Sequence, residues 1–228
     1  RLRARGCRVV VVMPNYPPKL LFEPPASLTH LAQSYAENRL LIYVGGLSES
    51  RGITQAIRVV QYLRKEFPQV KLLLAGRFES DLYQQKVMQL IDRLNLADNV
   101  DILGILPHPE VIRYLAVADI GIFLLQPVST RYNWGEPMKY FEYSAAGLPV
   151  VISDLPAKRR LIEKNQNGVL VDPRDEKKIA EAIASLLRDP EKMKEMGERG
   201  RAAFLREYNW EAIEERLIDF YCKLTGEL

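Results

Sequence analysis

Short apolar runs alternate along this chain with stretches in which apolar residues recur every three or four positions, the period of an amphipathic helix. Such alternation predicts βαβ units and a parallel sheet, because a strand covered by helices on both faces reads as an unbroken apolar run. The expected strands are Val9 to Met13, Leu40 to Val44, Lys71 to Ala75, Val100 to Leu103, Ile120 to Leu125, Val150 to Ile152 and Gly168 to Val171. Helices are expected at Leu28 to Tyr35, Gly52 to Phe67, Asp81 to Leu94, Pro109 to Val117, from Pro137 onward, and at Pro156 to Glu163, Glu176 to Leu187, Glu191 to Tyr208 and Trp210 to Leu224. In the second of these, Ile53, Ala56, Ile57, Val60 and Leu63 share one face. The expected fold class is α/β, a doubly wound, Rossmann-like parallel sheet. Sheets of this kind take ligands outside the carboxyl ends of the strands, where strand order reverses.

Composition adds bounds rather than chemistry. A chain of 228 residues with 47% hydrophobic content can bury a sizeable core. A formal net charge of +3, spread along the chain, speaks against nucleic acid or a membrane surface as a partner. Cys7 and Cys222 stand at opposite ends with no C-x-x-C and no His/Cys company for zinc, so a reduced, cytoplasmic setting is expected. No apolar run approaches the length of a spanning helix, about 20 residues. The apolar part of the opening RLRARGCRVVVVMP is too short for a secretory signal. The first residue is arginine, and the chain is expected to be a piece whose N-terminal part is missing.

The chemistry concentrates in WGEPMKYFEYSAAGLPVVISD, Trp134 to Asp154. Gly135 and Pro137 punctuate a turn, and proline suits the first helical position because its missing N–H is one a helix cannot use. The helix start at Pro137 and Met138, whose free N–H groups begin after the proline at the positive end of the helix dipole, makes a seat for an anion such as a diphosphate. Glu142 follows one turn in, and Gly147 and Pro149 end the helix before a buried strand. Lys139, at the third helical position, either reaches the phosphates or is an exposed lysine of no consequence.

Read as Pro137, Lys139, Glu142, Tyr143, Ala145, Gly147, Pro149, Val150 and Val151, the pattern P-x-K-x-x-E-Y-x-A-x-G-x-P-V-V resembles the donor-binding motif of the large retaining glycosyltransferase family numbered four, of the GT-B fold. The resemblance runs from about Val9 to the chain end and implies the C-terminal, donor-binding half of that fold. It gives Glu142 the nucleotide ribose. The family's first glutamate, which faces the transferred sugar, falls on Trp134, and Glu136 lies two positions out of register. The loop Gly45 to Gly52, GGLSESRG, resembles the family's G-R-L-x-x-x-K-G, whose arginine and lysine neutralise the departing diphosphate; Gly46 replaces the arginine and Arg51 stands for the lysine. Arg51 is therefore the catalytic expectation, since a guanidinium can clamp two phosphate oxygens. Alone, the loop reads more readily as a turn with a surface charge. Arg77 and Leu106, in the loops after the third and fourth expected strands, flank the nucleobase by the same resemblance.

Two further features keep two readings each. His108, with a proline on both sides, cannot lie inside a regular helix and has little support as a base; it reads as a loop histidine lining the cleft. Trp134, in QPVSTRYNWGE, either packs on the apolar face of a sugar or plugs the space under its loop. Three divisions are expected: residues 1–39 as interdomain strand and connection, 40–208 as the nucleotide-sugar-binding domain, and 209–228 as a helix returning toward a missing N-terminal domain, through which any membrane association would run. The expected function is transfer of a sugar from a nucleotide diphosphate sugar to an acceptor hydroxyl, without cofactor or metal, the isolated domain being inactive. The alternative is a non-catalytic nucleotide-sugar-binding or scaffolding module, favoured by Gly46, Arg51 and Trp134 at positions the family fills with arginine, lysine and glutamate.

Overall fold

The computed structural model describes residues 11–22 and 28–225. Its strands are β1 (Arg39–Val44), β2 (Val70–Ala75), β3 (Val100–Gly104), β4 (Ile120–Phe123), β5 (Val150–Ser153) and β6 (Gly168–Val171). The helices are α1 (Thr29–Ser34), α2 (Ile53–Leu63), α3 (Asp81–Arg93), α4 (His108–Val117), α5 (Thr130–Trp134), α6 (Met138–Ala145), α7 (Pro156–Asn165), α8 (Glu176–Leu187), α9 (Pro190–Glu207) and α10 (Trp210–Thr225). Side chains set several starts: Ser80 accepts from the Tyr83 N–H, Asp175 from Lys178 and Asp189 from Lys192, each capping the first turn of α3, α8 or α9.

All strand pairs are parallel, and the order is β3-β2-β1-β4-β5-β6. The order reverses between β1 and β4, the place where a doubly wound sheet opens a ligand crevice. Residues 40–43 of β1 and all of β4 and β5 are buried, as expected of strands covered on both faces. At the rim, β3 is mostly half-exposed. Helix α2 packs against α8, and α6 against α9.

Crevice formation follows from register. β1 matches β2 over its whole length but meets β4 only at Leu41–Ile120 and Ile42–Gly121. Beyond that point the two strands part, and the Tyr143 hydroxyl enters, accepting from the Val44 N–H at 3.1 Å and donating to the Ile122 carbonyl at 3.4 Å. Gly121 makes room, since a Cβ there would meet the Tyr143 ring. The motif tyrosine thus wedges the switch point open while keeping its backbone groups paired.

The expected elements are present with four differences. Of Val9 to Met13, residues 9 and 10 lie outside the described residues and 11–13 join no strand; both edges of β1 are taken, and the segment instead buries Tyr16 against Phe141 and Tyr208. Pro137 is the residue before α6 rather than its first, with extended backbone at φ −81° and ψ 130°. His108 opens α4, and its two prolines occupy the cap and first turn, where no N–H is needed. The stretch read as a loop between β4 and α6 contains α5. Cys7 lies outside the described residues. On α10, Ile213 is buried, while Tyr221 and Leu224 are exposed.

Candidate functional site

At the carboxyl ends of β1, β2 and β3 the loops continue side by side as a laced rim. The Gly45 N–H donates to the Ala75 carbonyl at 2.7 Å, Gly76 to Gly104 at 2.7 Å and Leu47 to Arg77 at 2.8 Å. Two glycines are required by this lacing. Gly45 and Gly76 have φ of +125° and +153°, and a Cβ on Gly76 would collide with the Gly45 carbonyl. The result is a strip of bare backbone bordering a cavity of ≈ 420 Å³ lined by Gly45, Gly46, Gly76, Arg77, Leu106 and Val111, among others. Four expected site residues, Gly45, Gly46, Arg77 and Leu106, therefore share one hollow. A cavity of similar size, ≈ 400 Å³, lies between the carboxyl end of α2 and α8, at the opposite pole of the sheet from these loops.

Two cations border the strip. Lys139 reaches from the first turn of α6 so that its ammonium end lies where a Gly45 side chain would be, and Arg51 places its guanidinium Nε 3.7 Å from where a Gly46 Cβ would be. Among the described residues neither forms an ion pair with a carboxylate. Burial, and then the Arg51 charge, hold the Lys139 ammonium below the ordinary lysine range, with Glu142 acting the other way. Burial pushes the Glu142 carboxyl up, against the charges of Lys139 and His108. Glu142 is thus a half-buried carboxylate one turn behind the lysine, within range of the His108 charge.

Trp134 and Met138 stand apart. They line a second hollow of ≈ 460 Å³ with Asn15, Tyr16, Glu136 and Phe141. Trp134 is 66% exposed, with the Arg160 guanidinium 5.8 Å from its ring centre, so it plugs nothing. Glu136 accepts from the Tyr16 hydroxyl at 3.3 Å. Of the expected residues, then, one group meets at the glycine strip, another in this neighbouring hollow, and α6 carries Lys139 to the first and Met138 to the second. Among the described residues no group of three or more His, Cys, Asp or Glu is arranged to hold a metal ion.

Two residues of consequence were not singled out from the sequence. Tyr43 donates to the Gly46 carbonyl at 2.9 Å from the strand below, and its hydroxyl is pushed up to about 12 by burial, with Arg51 pulling it back. Lys158, in the first turn of α7, is buried, and its ammonium donates to the Tyr132 carbonyl and, at 2.6 Å, to the Gly135 carbonyl. Burial lowers it to about 8, opposed by Glu136. A tyrosine ending an apolar run carries a weak signal for the first; a lysine in PAKRR carries none for the second, because nothing local marks it as the one turned inward.

Comparison with known proteins agrees with this geometry. The family described as glycosyl transferases group 1 matches residues 32–203. The GDP-mannose-dependent alpha-(1-6)-phosphatidylinositol monomannoside mannosyltransferase of Mycobacterium tuberculosis is 25% identical over 206 residues, covering 87% of this chain and 52% of that protein. The chain thus spans about half the length of the curated relatives it matches. Sucrose-phosphate synthase from Thermosynechococcus elongatus superposes with a TM-score of 0.81 at 25% identity, over 96% of this chain and 53% of that one. HepE of Anabaena, solved in complex with UDP, gives 0.81 at 21% identity, over 93% and 57%. The C-terminal domain of LpcC, a group 1 family protein of Francisella tularensis, gives 0.71 at 17% identity, over 84% of this chain and 98% of that domain. The fold is the Rossmann-like half of a GT-B glycosyltransferase, and no helix among the described residues is long and apolar enough to cross a membrane. The chain belongs to the glycosyl transferases group 1 family.

Proposed function

We propose that this chain is the donor-binding half of a retaining glycosyltransferase, which holds a nucleotide diphosphate sugar while its sugar moves to an acceptor hydroxyl. The observation that carries this reading is the strip of bare backbone at Gly45 and Gly46 with Lys139 and Arg51 beside it, two cations at the sheet's switch point that form no ion pair with a carboxylate among the described residues. In glycosyl transfer the bond from the sugar's anomeric carbon to the diphosphate breaks, and negative charge builds on the departing oxygens. Fixed cations and N–H groups already in place stabilise that charge without reorganising. Arg51 and Lys139 are the cations in this reading, and the first N–H groups of α6, after Pro137, add the helix's positive end.

Glu142 takes the ribose, since a carboxylate can accept from both hydroxyls of a cis-diol. The apolar hollow with Leu106, Val111 and Arg77 receives the base. Trp134, beside Glu136 in the adjacent hollow, faces the sugar side. Retention rests on the family resemblance. Support for the ligand class comes from relatives whose names specify GDP-mannose and from the HepE complexes with UDP and UDP-glucose. The acceptor and its share of the catalytic groups belong to a second domain in this reading.

A second reading, a non-catalytic nucleotide-sugar-binding or scaffolding module, is favoured by Gly46, Arg51 and Trp134 standing where the family more often has arginine, lysine and glutamate. Thermal shift and calorimetry with nucleoside diphosphates and nucleotide sugars, without added metal, test both. Stabilisation by a nucleotide diphosphate at millimolar concentration supports donor binding. No shift with any nucleotide overturns it. Transfer by a chain joined to its second domain then separates enzyme from scaffold.

A further inference from the structure

The anion strip has a floor, and the floor is aromatic. Tyr43 and Phe123, on the adjoining strands β1 and β4, stack with ring centres 6.3 Å apart and planes 19° from parallel. The Lys139 ammonium stands over both rings, 5.8 Å from the Tyr43 centre and 5.6 Å from that of Phe123. Both rings are buried, at 1% and 3% exposure. Against a ring face a cation is attracted by the ring quadrupole, and among the described residues the Lys139 ammonium forms no ion pair with a carboxylate. The Tyr43 hydroxyl, donating to the Gly46 carbonyl at 2.9 Å, also fixes the plane of the peptide that faces Arg51.

We infer that Tyr43 and Phe123 are positioning residues that hold Lys139, beside Arg51, as the resident counter-charge of a diphosphate seated on Gly45 and Gly46. This rests on the donor-binding reading and deepens it. Arg51 stands against Gly46, the position where the family's arginine would project, so two side chains reaching in from elsewhere, Arg51 and Lys139, furnish the positive charge that Gly46 lacks. An ammonium held over two rings is preorganised, and little side-chain entropy remains to be lost on binding.

The charged and titratable groups around the ammonium are Arg51 from the loop after β1, Glu142 on its own helix, Tyr43 on β1, Tyr132 on α5 near Tyr43, and His108 on α4, whose charge acts on Glu142. Burial and Arg51 hold Lys139 below its ordinary value. Anion binding that needs the ammonium therefore weakens as pH rises through that lowered value, before the ordinary lysine range of about 10.4 is reached. Opening the floor admits water to the ammonium, and this alkaline limb then moves to higher pH.

The probe is inorganic pyrophosphate, titrated by calorimetry into the chain from about pH 6 to about pH 10 at fixed ionic strength, spanning the range below the ordinary lysine value. Lys139→Met is expected to weaken binding about tenfold to a hundredfold, the worth of one charge-assisted hydrogen bond, and Lys139→Arg to restore part of it. Tyr43→Leu and Phe123→Leu, which remove one ring and let water reach the ammonium while keeping an apolar side chain and cooperative melting, are expected to weaken binding less and to shift the alkaline limb upward. Pyrophosphate binding unchanged in Lys139→Met, or a limb that stays in place in both floor variants, overturns the inference. The donor reading fails separately: pyrophosphate bound with this pH profile but with no gain from any attached nucleoside keeps the seat and removes the nucleotide. Nucleotides that bind equally well to Lys139→Met remove the seat and keep the nucleotide.

Discussion

Glu142 carries a conflict between folding and function at the level of a single side chain. Its carboxyl is raised by burial, so its charged form is disfavoured in the folded state. A group with a raised folded value adds stability that is fully present below its unfolded value, about 4.3, and lost as pH climbs through the folded one. At neutral pH the charge is therefore a cost to the fold. Glu142→Gln is expected to melt at or above the parent's temperature at neutral pH, the gap closing in acid, as read from melting curves across that range. Glu142→Ala is expected to weaken nucleoside diphosphate binding roughly tenfold to a hundredfold, because hydrogen bonds to a charged group contribute about 1.5–3 kcal/mol. Lower stability at neutral pH combined with unchanged binding would count against both halves. Arg51 differs, since its partner would be phosphate rather than ribose. Arg51→Ala is expected to lower diphosphate affinity and leave nucleoside binding nearly untouched, and equal losses in calorimetry would instead indicate a defect in the fold.

Between elements, small residues and one buried cation decide how the site segment is held. The Lys158 ammonium donates to carbonyls at the end of α5 and in the turn before α6, fixing the stretch that carries Trp134 and Glu136. Lys158→Met leaves those carbonyls without donors. Hydrogen exchange at residues 132–138 is expected to accelerate while β4 and β5 remain protected, whereas uniform acceleration would mean that the lysine holds the whole fold. Helix α9 lies so close to the turn ending α6 that a Cβ on Gly197 would strike the Gly147 carbonyl. Gly197→Ala gains helix propensity, about 1 kcal/mol, but forces α9 away from α6. A net loss of about 1–3 kcal/mol is expected from chemical denaturation, the usual range for overpacking; a gain would show that the contact yields.

For the whole molecule, the proposal separates binding from transfer. The sheet has its own core, which is what allows a domain to fold alone. We expect this chain to fold by itself, to bind nucleoside diphosphates weakly without added metal and to transfer no sugar until joined to the domain that holds the acceptor. A radiolabelled donor assay on the chain alone and on the longer protein checks this, and transfer by the chain alone would refute the division of labour. The exposed Tyr221 and Leu224 on α10 belong to the same picture, in which that helix returns toward the second domain.

Much of this architecture was legible in the chain itself. Apolar runs and their spacing specified β1 to β6 and nearly all the helices, because burial on both faces of a parallel sheet leaves few polar positions in its strands to confuse the period. The motif from Pro137 to Val151 marked the helix with Lys139 and Glu142, since a proline before a helix and a glycine after it are local backbone requirements. Segment 11–13 read as a strand because period alone cannot tell that every place beside β1 is already occupied. α5 was missed because a helix of five residues is shorter than any periodicity can register. Tertiary structure alone decided that Lys139 stands over Tyr43 and Phe123, that Arg51 lies against Gly46, that Trp134 belongs to a separate hollow and that Lys158 turns inward. Apart from Arg51 and Gly46, which share one loop, these join residues far apart in the chain, and which side chains meet across such distances is set by how α5, α6 and α7 pack on the splayed ends of β1 and β4, a quantity no local pattern contains.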